Sequence, residues 1–180
     1  MTKNRGITLI ELIIVIAILG IIIGGVGLTF SIVNSADIEG CTQTLDISLE
    51  KTKNECMTKI EQQYLVLYKS TQDDYPGYYI GNVSKADLAT YTLSPEKDTK
   101  IGGNKIQIKI KITVEGETDL DVATTPIFFT FDRATGAFMY LNKGIPSYAT
   151  TYYPSSITIT NGSKTNIINC IQATGKHFIE

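Results

Sequence analysis

The sequence predicts an α+β chain in which a long N-terminal α-helix, with a membrane-spanning half and an amphipathic half, packs on an antiparallel β-sheet domain. Three patterns carry that expectation: an apolar run over residues 7–33, helix-period apolar residues over 34–70, and alternating or turn-flanked apolar segments within 71–180. The part beyond Val33, about 140 residues, is large enough to bury its own core. No internal repeat, low-complexity tract or long linker divides it.

The helix begins behind a short basic leader, Met1-Thr2-Lys3-Asn4-Arg5. From Leu12 to Leu28 there are 17 consecutive residues without a polar side chain, and only Thr29 and Ser31 interrupt the run before Val33. As a helix, Ile7 to Val33 is roughly 40 Å long against a hydrocarbon core of about 30 Å. Lys3 and Arg5, with no acid among them, hold the N-terminus in the cytoplasm and send the rest of the chain out. A secretory signal would end in a small-residue cleavage site. Gly24, Gly25 and Gly27 imitate one only in part, because helical patterning continues past them. Glu11 is the anomaly, since a carboxylate at the centre of a membrane helix costs about 2.5 to 3.5 kcal/mol, and less near an end. It calls for a partner, or else it snorkels to the interface or simply favours the helix N-terminus.

The stretch Arg5-Gly6-Ile7-Thr8-Leu9-Ile10-Glu11-Leu12-Ile13-Ile14-Val15-Ile16-Ala17-Ile18-Leu19-Gly20 resembles the class III signal of type IV pilins and pseudopilins. The resemblance implies that residues 1–6 are a leader peptide, cut after Gly6 by a membrane-embedded aspartyl prepilin peptidase that then methylates Ile7. It implies that Glu11 partners the N-terminal amine of a neighbouring subunit during assembly. Ala17 and Gly20 also fall where the family often has these residues. Two departures stand out. Ile7 replaces the commoner phenylalanine, an apolar exchange. Leu28 stands where many pilins carry a kinking proline, which leaves bending to Gly24, Gly25 and Gly27 at about 1 kcal/mol each. The partners implied are the peptidase, other pilin or pseudopilin subunits, an assembly platform protein with its ATPase, and membrane lipid.

Beyond the membrane segment, Ile38, Cys41, Leu45, Leu49, Thr52, Cys56, Ile60, Tyr64 and Leu67 recur at three- and four-residue steps, predicting one amphipathic face against a sheet. Gly40 marks a soft point within it. Tyr75-Pro76-Gly77 ends the helical region, and a short helix is expected near Ser84 to Ala89. Lys105 to Val114 alternates strictly, so it reads as a strand with five aliphatic side chains on one face. Ile127 to Phe131 and Ala137 to Leu141 read as a hairpin around Asp132-Arg133-Ala134-Thr135-Gly136. Ile157 to Thr160 and Asn166 to Ile171 flank Asn161-Gly162, which suits a type I′ turn or the core of a longer loop. The Phe131-Asp132 hairpin and the Gly175-Lys176 segment resemble minor pseudopilins of type II secretion and competence systems, which implies a minor subunit.

Cys41 and Cys56 lie about 22 Å apart along a continuous helix, so neither can bridge the other. A Cys56–Cys170 disulfide is the candidate pairing in an exported domain, with buried free thiols as the leading alternative. Enzyme function finds no support. Ser94-Pro95-Glu96-Lys97 has the Ser-x-x-Lys spacing without the motifs that accompany it. His177 is the only histidine, which excludes a multi-histidine zinc site, and a Cys170–His177 nucleophile pair lacks a flanking motif. No cofactor is expected. Glu115, Glu117, Asp119 and Asp121 are calcium candidates whose spacing matches no defined motif, so a solvated loop is favoured. Lys105, Lys109 and Lys111 share a strand face that could neutralise phosphates of exported-side DNA, or could simply solubilise the sheet. The sequence thus predicts a pilin-like filament subunit. A DNA-binding competence or tip pilin and a non-polymerising anchored domain are its alternatives.

Overall fold

A computed structural model describes residues 9–113, 118–139, 142–143 and 153–180. Helix α1 runs Leu9–Thr58, and the chain divides into two compact units, Met1–Ala36 and Asp37–Glu180. In the second unit α1 packs with two antiparallel sheets, which is the α+β arrangement that the sequence predicts.

Ten strands follow α1: β1 (Gln63–Ser70), β2 (Gly77–Ser84), β3 (Thr99–Gly102), β4 (Gln107–Thr113), β5 (Thr118–Asp121), β6 (Ile127–Phe129), β7 (Asn142–Lys143), β8 (Tyr153–Thr160), β9 (Thr165–Ile171) and β10 (Lys176–Ile179). They form one sheet in the order β3-β2-β1-β6-β7 and another in the order β10-β9-β8-β4-β5. Along α1, Ile38, Cys41, Leu45, Leu49, Thr52 and Cys56 are buried. Most of that stripe joins one core with Leu65 and Leu67 of β1, Ile108, Ile110 and Ile112 of β4, Ile157 and Ile159 of β8, and Ile168 of β9. Full burial of a leucine such as Leu45 or Leu49 contributes about 2 kcal/mol.

The helix ends earlier than the sequence predicts. Residues 59–62 are a turn region, and Gln63–Ser70 is strand β1 rather than the last part of an amphipathic helix extending to residue 70. The cause is the continuous apolar run Tyr64-Leu65-Val66-Leu67-Tyr68, which satisfies a helical period and a strand equally and is settled by burial on two faces. Leu65 and Leu67 enter the helix-side core, whereas Tyr64, Val66 and Tyr68 enter a second cluster with Tyr79, Val83 and Phe128. Ile60, counted in the helical stripe, is 90% exposed. The change of direction is held by the Gln62 side-chain amide, which donates to the Thr130 hydroxyl and to the Phe131 carbonyl, the latter at 2.6 Å.

The second cluster is covered by the β2–β3 connection, whose Leu88 and Tyr91 pack onto it. The hydroxyls of Tyr68 and Tyr91 donate to one oxygen of Asp98 at 2.7 and 2.9 Å. Burial, and then the Asp98 carboxylate, push both phenols well above their ordinary range. The helix expected near Ser84 to Ala89 is a strand end followed by turns. Tyr75-Pro76-Gly77 ends the β1–β2 connection, not a helix.

The predicted hairpins form. Phe131 bridges Phe138, Asp132 N–H donates to the Ala137 carbonyl at 2.7 Å, and Gly136 takes the positive φ of +69°; residues 140 and 141 of that expectation lie outside the described residues. β8 and β9 are joined by Asn161–Lys164, the longer of the two loops expected there, with Gly162 at φ +86°.

A turn at Gln172–Thr174 leads to Gly175, at φ +59°, and into β10. A β-carbon on Gly175 would sit 1.9 Å from the Gly136 carbonyl oxygen. Gly175→Ala is therefore expected to lower stability by about 2 kcal/mol or more, read as a fall in melting temperature. An unchanged melting temperature would show that the C-terminal turn does not seat on the 131–138 hairpin.

Candidate functional site

Residues 1–8, including Lys3, Arg5, Gly6 and Ile7, lie outside the described residues. From Leu9 the chain is helical, and Glu11 is the acid of the first described turn, where the helix dipole favours negative charge. Its neighbours are the unusual part. Every described side chain from Leu9 to Ile21 is exposed, with Leu9 and Ile21 each 77% so. Single exposed apolar residues are ordinary, but a continuous helical surface of Leu, Ile and Val is a surface waiting for lipid or for other helices. At Gly20 a β-carbon would meet nothing within 4 Å. The chain's own packing therefore does not call for a small residue there, whereas close approach of a second helix would.

Side chains of residues 22–35 fall outside the description, as do four residues of the acidic loop, 114–117. Among the described residues, no helix is long and apolar enough to cross a membrane.

The two lysines of β4 stand opposite acids. Lys109 pairs in register with Asp121 and Lys111 with Asp119 across the β4–β5 ladder, so this face is charge-balanced rather than a run of positive charge. Cross-strand neighbours of opposite charge stabilise each other by a few tenths of a kcal/mol. Lys105 precedes β4 in the turn that enters it and is not on the strand with the other two. Of the calcium candidates, Glu115 and Glu117 lie outside the described residues, and Asp119 and Asp121 face the lysines. Among the described residues no group of three acids, cysteines or histidines could hold a metal.

Cys41, Cys56 and Cys170 are all free thiols in this structure, and the Cys56–Cys170 bridge is not formed in it. Cys56 lies in the last turns of α1 with its Sγ 3.3 Å from the Gln63 carbonyl oxygen, a position fixed by the chain reversal into β1. Cys170 lies on β9 opposite His177 of β10. Cys41 is pushed up to about 12 by burial, and Cys170 to about 12 by burial and then by the Asp46 charge. A thiol shifted in that direction is a poor nucleophile. Alkylation of the denatured, unreduced protein is expected to label all three cysteines by mass. Labelling of one alone would mean a bridge.

The helix-to-strand contact made by His177 and Asp46 was missed by sequence reasoning, and no local pattern signals it because 131 positions separate the two.

No curated protein and no solved structure matches the chain. Its N-terminus does match a known family model. Over residues 1–27 the chain carries the prokaryotic N-terminal methylation motif, the class III signal of type IV pilins and pseudopilins.

Proposed function

We propose that the protein is a structural subunit, of the minor class, of a type IV pilus or related pseudopilus. It is made as a membrane-inserted precursor with its N-terminus in the cytoplasm, cleaved after Gly6, methylated on Ile7 and polymerised through its apolar helix. The observation that carries this reading is the methylation motif at residues 1–27, whose signal implies the prepilin peptidase, other pilin subunits and a membrane or envelope location. The family that bears the motif is one of structural subunits.

The exposed apolar surface of α1 from Leu9 to Ile21 supports it. Within lipid that surface is at no cost. In a filament it packs against the same surface of other subunits, and Ala17 and Gly20 allow helices to approach closely. Glu11 then meets the amine of Ile7 on a neighbouring subunit. The sheet domain, with its own buried core, folds outside the membrane and faces outward.

A DNA-contacting role for Lys105, Lys109 and Lys111 gains no support from the charge-balanced β4–β5 face. A non-polymerising anchored domain would leave the motif without a use. Shearing surface filaments from the native host, or from a host with its assembly machine, tests the reading. The chain is expected in the sheared fraction only when the prepilin peptidase is present. Its retention in membranes regardless of the peptidase would overturn the proposal.

A further inference from the structure

Three segments distant in sequence enclose an open cleft of about 460 Å³: the 131–138 hairpin with Met139 beyond it, the first residue of β8, and the C-terminal turn. Phe138, Met139 and Tyr153 give it apolar walls, and Asp132, Thr135 and Gln172 bring polar groups to it. Backbone bonds hold those walls in place. Phe138 N–H donates to the Gln172 carbonyl at 3.0 Å, and Met139 N–H donates to the Thr130 carbonyl at 3.0 Å. The Phe131 ring backs that of Phe138, with centroids 4.5 Å apart. A cleft of this size that is formed before anything enters it, apolar with a few convergent polar groups, has the make-up of a small-molecule site.

Its charge is of one sign. Asp132 carries the one charge among the described residues that line it. Thr135, through its hydroxyl and then its backbone N–H, holds the Asp132 carboxyl below its ordinary value, so the group is ionised in neutral solution. Oδ1 accepts from the Thr135 hydroxyl at 2.7 Å and from the N–H groups of Thr135 and Ala134 at 2.8 and 3.1 Å. Those bonds shape the turn, and none of them involves Oδ2. Two cations near the hairpin are engaged elsewhere: Arg133 Nη1 donates to the Ile60 carbonyl at 3.2 Å, and Lys53 Nζ lies 3.8 Å from Glu50 Oε2. An anionic ligand would meet an opposing carboxylate, and a wholly apolar one would desolvate that charge without a partner. A positive head on an apolar body suits both parts of the cleft, because a carboxylate and an aromatic ring each attract it.

We propose that this cleft binds a small organic cation, an ammonium group on an apolar body, with Asp132 as its counter-charge and Tyr153 as its aromatic wall. A free amine and a lysine side chain of another protein share that chemistry. The cleft lies within the sheet domain and does not depend on whether the chain polymerises.

The full chain, labelled with nitrogen-15 and held in an uncharged detergent, is titrated with three probes. They are choline, its neutral isostere in which a tert-butyl group replaces the trimethylammonium group, and Nα-acetyl-lysine amide. The backbone amide signals of Thr135, Phe138 and Gln172 are expected to shift with a cation and not with the isostere. A shift with choline alone assigns the site to free amines, and a shift with the lysine derivative assigns it to a basic side chain of a partner. Asp132→Asn keeps the Oδ1 acceptor on which the turn depends and removes the charge, so it should weaken binding about tenfold or more. Tyr153→Leu keeps an apolar wall without a ring and should weaken binding about two- to fivefold. Equal shifts with choline and its isostere, no shift with either cation, or undiminished binding in either variant would overturn the proposal. If a variant does not fold, the comparison of choline with its isostere on the parent chain decides alone.

Discussion

Glu11→Gln is expected to insert in the membrane and to be cleaved after Gly6, yet to enter filaments poorly and accumulate in the membrane fraction. The substitution keeps the shape and a hydrogen-bonding group but deletes the charge. A carboxylate in lipid carries a cost of about 2.5 to 3.5 kcal/mol at the helix centre, and a compensating amine on the neighbouring subunit turns that cost into a preference for the docked state. Losing a term of that size corresponds to a fall on the order of a hundredfold in the docking equilibrium. An acid that merely snorkels to the interface contributes little to docking, and it predicts normal incorporation. The ratio of subunit in sheared filaments to subunit in membranes, with cleavage checked by mass, separates the two.

Gly6→Val should act one step earlier and more completely. The peptidase must bind the residue before the scissile bond beside a membrane surface, and the resemblance to pilins implies a site that accepts no side chain there. The precursor then keeps Lys3 and Arg5, and the amine of Ile7 is never freed to meet Glu11 of a neighbouring subunit. Full-length precursor in the membrane and no subunit in filaments is the expected outcome. Cleavage of Gly6→Val at the normal rate would remove the steric argument.

The two substitutions concern the part of the chain that its sequence describes most fully. The motif is local, and an acid in an apolar run is anomalous on composition alone, so Gly6, Ile7 and Glu11 stand out without any tertiary information. The helix stripe from Ile38 to Cys56 and the alternation of Ile106, Ile108, Ile110 and Ile112 are legible for the same reason: each buries one face at one period. Legibility fails where both faces are buried. Tyr64 to Tyr68 has no polar residue to set the period, and only the cover supplied by Leu88 and Tyr91 explains why that run is a strand. It fails again where partners are distant in sequence. Lys109 and Lys111 look like a positive face until β5 brings Asp121 and Asp119 alongside. Nothing near His177 in the sequence points to Asp46.

The N-terminus of the mature protein is the most direct observable of the whole reading. Intact mass and N-terminal sequencing of the protein from a host with the prepilin peptidase should give a chain that begins at Ile7, lacks the six leader residues and carries one added methyl group on its terminal nitrogen. A protein that still begins at Met1 in that host, unmethylated and with Lys3 and Arg5 in place, would contradict it.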